Sequence, residues 1–243
     1  MSLNALLEIS ERTTNIVKWI SVGCIFLLFG VIALLCVKGR KQYDAKKLAF
    51  AGVTLGLSFV LSLFKVSPVP NGGSVTAASF VPVLIYTYVY GVSEGLLVGI
   101  AMGLFNFATS PYILTPMTFV LDYLLAFASI GVMGLAKKFT KKTTFNVVLG
   151  TVAVYVGRFV FHLFSGIIYF AQDAVWMELP GWAVSNGFVY SFIYQCIYLP
   201  ADCIIAAVVL YLLAKLGVLD QLAALMRPKK SAAPAVQTEE NAA

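Results

Sequence analysis

Asp122, Arg158, His162, Tyr190, Gln195 and Asp202 are polar side chains set into apolar stretches long enough to cross a bilayer. Hydrocarbon penalises an unpaired charge, so ionisable groups at such positions are read first as functional or as paired with one another. A carboxylate such as Asp122 can balance a positive charge on a ligand. Aromatic faces can hold a ring by stacking and cation–π contact, while tyrosine hydroxyls and a glutamine amide set its orientation by hydrogen bonds. The chemistry that suits this set is recognition of a small, cationic polar heterocycle.

Helical rise, about 1.5 Å per residue, converts position into depth. Asp122 falls roughly 7–8 Å inside the outer end of a helix that starts near Met117, and His162 roughly 12 Å from an outer end at Phe170. Tyr190 and Gln195 fall in the outer half of the last helix. Four polar groups from three helices therefore converge on the outer half of the bundle, whereas Asp202 is placed deeper and outside that site. Arg158 and His162 are four apart and share a helix face. Arg158 is expected to pair with Asp122 or Asp202, an arrangement that on its own would be structural. His162 alone would read as a packed, hydrogen-bonded histidine; convergence at one depth gives it a binding role.

Other chemistries lack their residues. The single histidine rules out a two-histidine metal motif. No GxSxG elbow and no GxxxxGK[ST] loop occur, which argues against a serine hydrolase and against ATP binding by this chain. An intramembrane aspartyl protease would need Asp122 and Asp202, which are expected at different depths. Cys24, Cys36, Cys196 and Cys203 form no CxxC pair and read as small buried hydrophobes.

The elements that position these groups follow from composition. The chain has 243 residues, 60% apolar and 12% charged, against about a quarter charged in soluble domains. Mean hydropathy is +0.90. These values describe an all-α polytopic membrane protein of six or seven helices. The net charge of +6 marks cytoplasmic loops and not a nucleic-acid site, because its lysines and arginines cluster between apolar segments.

Residues 1–15 form a polar N-terminus. Residues 16–47 hold an extra first membrane helix, Ile20–Val37, and a basic loop; positive charges following the apolar run argue against a cleaved signal peptide. That loop places the N-terminus outside and the C-terminus in the cytoplasm. Residues 48–215 form the six-helix membrane domain, with helices expected over 48–64, 80–90, 96–108, 117–136, 145–170 and 185–213. The loop 66–79 is punctuated by Pro68, Pro70, Gly72 and Gly73 and is expected to be neither helix nor strand throughout. Gly52 and Gly56 make a small-xxx-small pair that permits close helix approach, either within the bundle or to another subunit. The outer loop 171–184 carries Trp176 and Trp182, and residues 216–243 form a cytoplasmic tail, disordered at its end.

Several of these stretches, in order and spacing, resemble the thiamine-binding S-component (ThiT) family of energy-coupling factor (ECF) vitamin transporters. Tyr112-Ile113-Leu114-Thr115, followed by Asp122-Tyr123, resembles its YIL…EY segment. His162 to Phe170 resembles its H-x3-G-x3-W stretch, and Tyr190-Ser191 with Gln195 its Y-S-x3-N stretch. The chain departs by Asp122 for Glu, Phe170 for Trp and Gln195 for Asn.

The resemblance implies a six-helix substrate-binding fold, here with one extra N-terminal helix, and a vitamin pocket near the outer face lined by Tyr112, Asp122, His162, Phe170, Tyr190 and Gln195. The acid would face the thiazolium charge, and Tyr190 and Gln195 the pyrimidine. Gly52 and Gly56 would dock a transmembrane coupling protein that works with two ATPase subunits. The chain would bind no cofactor itself, ATP being used by its partners. The expected function is a non-enzymatic importer subunit in a bacterial cell membrane. Another small heterocycle as ligand, or a stand-alone proton-coupled transporter, are the competing readings.

Overall fold

The computed structural model describes residues 45–69, 73–112, 116–170 and 186–226. The expected extra helix Ile20–Val37, the loop with Trp176 and Trp182, and the tail beyond 226 lie outside the described residues.

α1 (Ala45–Leu63) leads into a small antiparallel hairpin, β1 (Lys65–Pro68) and β2 (Ser74–Thr76). The turn residues of this loop had argued against regular structure. Strand pairing forms because the hairpin is held from outside, by Thr76 bonded to Asp202. α2 (Val81–Tyr90) follows, with Pro82 in its first turn, where a missing N–H is harmless. It is a central helix, buried over eight of its ten residues. Gly91, at φ 102°, turns the chain directly into α3 (Val92–Thr109), so the expected five-residue turn shrinks to one left-handed glycine.

α4 spans Pro116–Lys138. It opens as a short α-helical turn, becomes π-helical over Val120–Leu125, and ends as a 3-10 helix over Ser129–Lys138. α3 lies hard against it: a Cβ on Gly103 would stand 1.9 Å from the Tyr123 carbonyl oxygen, and one on Gly99 2.4 Å from that of Phe127. These two glycines are what lets the helices pack so closely. α5 (Thr143–Ser165) ends in a π-helical turn, Gly166–Phe170. α6 (Gly187–Lys215) starts on Asn186, whose side chain accepts from the Phe188 and Val189 N–H groups as an N-cap.

α7 (Val218–Met226) adds a helix to the first part of the expected tail 216–243, where no element was expected. Leu219, Ala223 and Met226 fall on one helical face and are buried, and the Tyr90 hydroxyl donates to the Met226 carbonyl.

α1, α3, α4, α5 and α6 are each long and apolar enough to cross a membrane. Their outward faces carry Leu57, Leu104, Phe164 and Ile204, all exposed, as expected where the solvent is lipid. The protein is an all-α membrane protein.

Candidate functional site

The π-helical segment of α4 carries Asp122. π bulges recur at functional sites because the extra residue re-aims side chains. Here the carboxylate turns toward α5, where Oδ1 lies 2.8 Å from His162 Nδ1 and Oδ2 accepts from the Ser165 hydroxyl at 2.6 Å. When the carboxylate is ionised Nδ1 carries the hydrogen, so that in the neutral ring Nε2 is an acceptor and in the charged ring a donor. That atom is buried and has no hydrogen-bond partner.

One residue along α4, Tyr123 fixes the loop above. Its hydroxyl accepts from the Tyr112 N–H at 2.9 Å and donates to the Ser110 carbonyl at 2.8 Å, which sets where Tyr112 can lie. α6 contributes a ladder at four-residue spacing. Tyr190 stacks on Tyr194 at 6.2 Å between ring centres, and Tyr194 meets Tyr198 edge-on at 5.6 Å. Gln195 is buried, its amide oxygen accepting from the Tyr198 hydroxyl at 2.8 Å. Tyr194 also takes the N–H of Gly73 at 2.9 Å, so the ladder supports the hairpin.

Asp202 closes the ladder. Its Oδ1 accepts from both the N–H and the hydroxyl of Thr76, each at 2.9 Å, and its Oδ2 from the Tyr155 hydroxyl at 2.6 Å. Arg158 Nη1 stands 3.8 Å from Oδ2, close enough for attraction and too far for a hydrogen bond. The guanidinium is instead packed over Phe80 at 4.1 Å and Phe127 at 4.9 Å.

Most of these groups line one partly open cavity. Tyr112, Asp122, His162, Tyr190 and Gln195, singled out from sequence, are all brought to it. Phe170 closes the π turn after α5, and its side chain lies outside the described residues. Gly52 and Gly56 are remote from the cavity, on the exposed side of α1; a Cβ at either would meet nothing within 4 Å.

One expectation needs correction, and another is narrowed to one of its two alternatives. Asp202, placed elsewhere by its depth, lines the same cavity, because the hairpin folds inward and Thr76 reaches it. Of Arg158's two candidate partners, Asp202 is the one beside it, while Asp122 is taken by His162 and Ser165.

Tyr194, Tyr198 and Thr76 were missed. The four-residue spacing of Tyr190, Tyr194, Tyr198 and Asp202 was the signal for the first two; nothing in the sequence pointed to Thr76.

Two carboxylates and one guanidinium line the cavity, leaving one formal negative charge with a neutral His162. Aromatic walls around a net negative charge suit an organic monocation.

Comparison with known proteins bears on the fold and the family. A solved structure of ThiT from Listeria monocytogenes superposes with a TM-score of 0.61 over 73% of this chain and 96% of its own, at 20% identity, a likeness of fold. The thiamine transporter ThiT of Bacillus subtilis (strain 168) is 32% identical over 154 residues, 59% of this chain and 76% of the relative. Residues 48–218 match the family described as thiamine transporter protein (Thia_YuaJ), a span that holds every residue lining the cavity, and the chain belongs to the thiamine transporter protein family.

Proposed function

We propose that the chain is the substrate-binding subunit of an ECF-type vitamin importer, which captures thiamine in the cavity between the hairpin, α4, α5 and α6. The observation that carries this reading is an aromatic cavity that holds two carboxylates, Asp122 and Asp202, and one guanidinium, Arg158, matched to a ligand with one fixed positive charge. Tyr112, Asp122, His162, Tyr190 and Gln195 contact the vitamin, with Phe170 at the end of α5. Asp122 is the counter-charge, held in place by His162 and Ser165. Tyr190 and Gln195 orient the uncharged ring.

The cavity opens to the outer side of a bacterial cell membrane, with the N-terminus outside and the C-terminus in the cytoplasm. Lys137 and Lys138 at the end of α4, with Lys141 and Lys142 just before α5, support that orientation. ATP is hydrolysed by two partner ATPases, and a transmembrane coupling protein packs on α1. The exposed Gly52 and Gly56 support this packing, because a surface without side chains lets a second helix come close.

Calorimetric titration of the purified chain with thiamine tests the reading. Saturable one-to-one binding is expected. Silence toward thiamine and its phosphates overturns the substrate assignment. Uptake in membranes that lack any partner ATPase, abolished by collapsing the proton gradient, overturns the subunit assignment.

A further inference from the structure

Among the described residues, four buried side-chain polar atoms have no hydrogen-bond partner: Ser58 Oγ, Arg158 Nε, Arg158 Nη1 and His162 Nε2. Three of the four belong to side chains on successive turns of α5 that line one cavity. Buried polar groups in folded proteins are nearly always satisfied, so such a cluster needs a reason.

Arg158 cannot satisfy itself. Asp202 already accepts from Thr76 twice and from Tyr155, and Nη1 stays 3.8 Å away from it. Packing over Phe80 and Phe127 holds the guanidinium plane in place. Its charge is compensated while its donors are not. One turn away, about 6 Å along the axis, His162 is held through Nδ1 by Asp122, which in the neutral ring leaves the unpartnered Nε2 as an acceptor.

We propose that Arg158 is a specificity-determining residue, donating to a ring nitrogen of the ligand's uncharged heterocycle, with His162 Nε2 accepting from an amino group on the same ring. The ligand class is an amino-substituted nitrogen heterocycle carrying a separate positive charge; in thiamine this is the aminopyrimidine. The inference rests on the thiamine reading and adds how the site tells the amino ring from its oxo counterpart. Replacing the amino group by a carbonyl puts hydrogen on the neighbouring ring nitrogen. Donor then meets donor at Arg158, and acceptor meets acceptor at His162.

The test is calorimetry on the purified full chain with thiamine and with this oxo analogue, in wild type, Arg158→Met and Arg158→Lys. The wild type is expected to prefer thiamine by roughly 100-fold, since sites built to hydrogen-bond a group reject its mismatch strongly. Arg158→Met is expected to lower that preference below about tenfold by losing affinity for thiamine alone. Arg158→Lys keeps the charge without the planar pair of donors, and is expected to lower it at least about threefold.

A wild type that binds both ligands equally overturns the proposal. So does an unchanged preference in Arg158→Lys, which decides the matter if the Met variant does not fold, and so does an equal loss for both ligands in a folded Arg158→Met. A wild type that binds no thiamine overturns the function above and this inference with it.

Discussion

Asp122 and His162 meet at 2.8 Å across two helices, forty residues apart in the chain. The pair joins the π-helical segment of α4 to the end of α5 and does two things together. It fixes a carboxylate at the cavity wall, and it selects which face of the imidazole looks inward.

Removing the charge of Asp122 while keeping its shape separates those roles. Asp122→Asn is expected to weaken thiamine binding by about 10- to 100-fold, the range of about 1.5–3 kcal/mol for a hydrogen bond to a charged group. Asp122→Ala, which also releases His162, is expected to remove measurable binding. Calorimetry checks both; wild-type affinity in the Ala variant refutes the counter-charge role.

Asp202 is expected to matter more for folding. It ties β2, α5 and α6 together and compensates Arg158. Asp202→Ala leaves a buried guanidinium unpaired, a defect of about 3–5 kcal/mol. A marked fall in the thermal midpoint of the detergent-solubilised protein without ligand is the expected result. An unchanged midpoint contradicts the assignment.

Glycines on α1 and α3 should behave oppositely. Gly103→Ala places a methyl group 1.9 Å from the Tyr123 carbonyl, which must push α3 and α4 apart and displace Asp122; both stability and thiamine affinity are expected to fall. Gly56→Leu meets nothing in this chain, so binding by the purified protein is expected to survive. If a coupling protein packs on α1 as proposed, uptake into cells is expected to fall, because a leucine side chain would hold a second helix away. Intact uptake in Gly56→Leu argues against that docking face.

Tyr194→Phe removes the hydroxyl that accepts the Gly73 N–H. A neutral hydrogen bond contributes about 0.5–1.5 kcal/mol, so faster amide exchange at Gly73 and in β2 is expected, with exchange in the centre of α2 unaltered. Equal acceleration in both places indicates a general loss of stability.

The apolar composition and the lysine-rich interruptions determined the membrane class and most helix positions. The reason is physical: helices facing lipid must be almost continuously apolar, and this leaves a plain signal along the chain. Asp122, His162, Tyr190 and Gln195 were legible as one site for the same reason, since a polar group stands out in such a background and helical rise gives its depth. The hairpin, α7 and Thr76 were not legible. Prolines and glycines say where a helix cannot continue, and they do not say that Thr76 will be caught by a carboxylate 126 residues away.

Sequence by itself thus determined which residues could form a cationic-ligand site and roughly how deep each would lie. Only the tertiary structure decided the pairings: Asp122 with His162, and Arg158 beside an Asp202 already saturated by Thr76 and Tyr155. Depth is set by local helical rise and can be counted along the chain. Partner choice is set by helix rotation and by the inward fold of a hairpin, which depend on packing between distant segments and leave no local pattern.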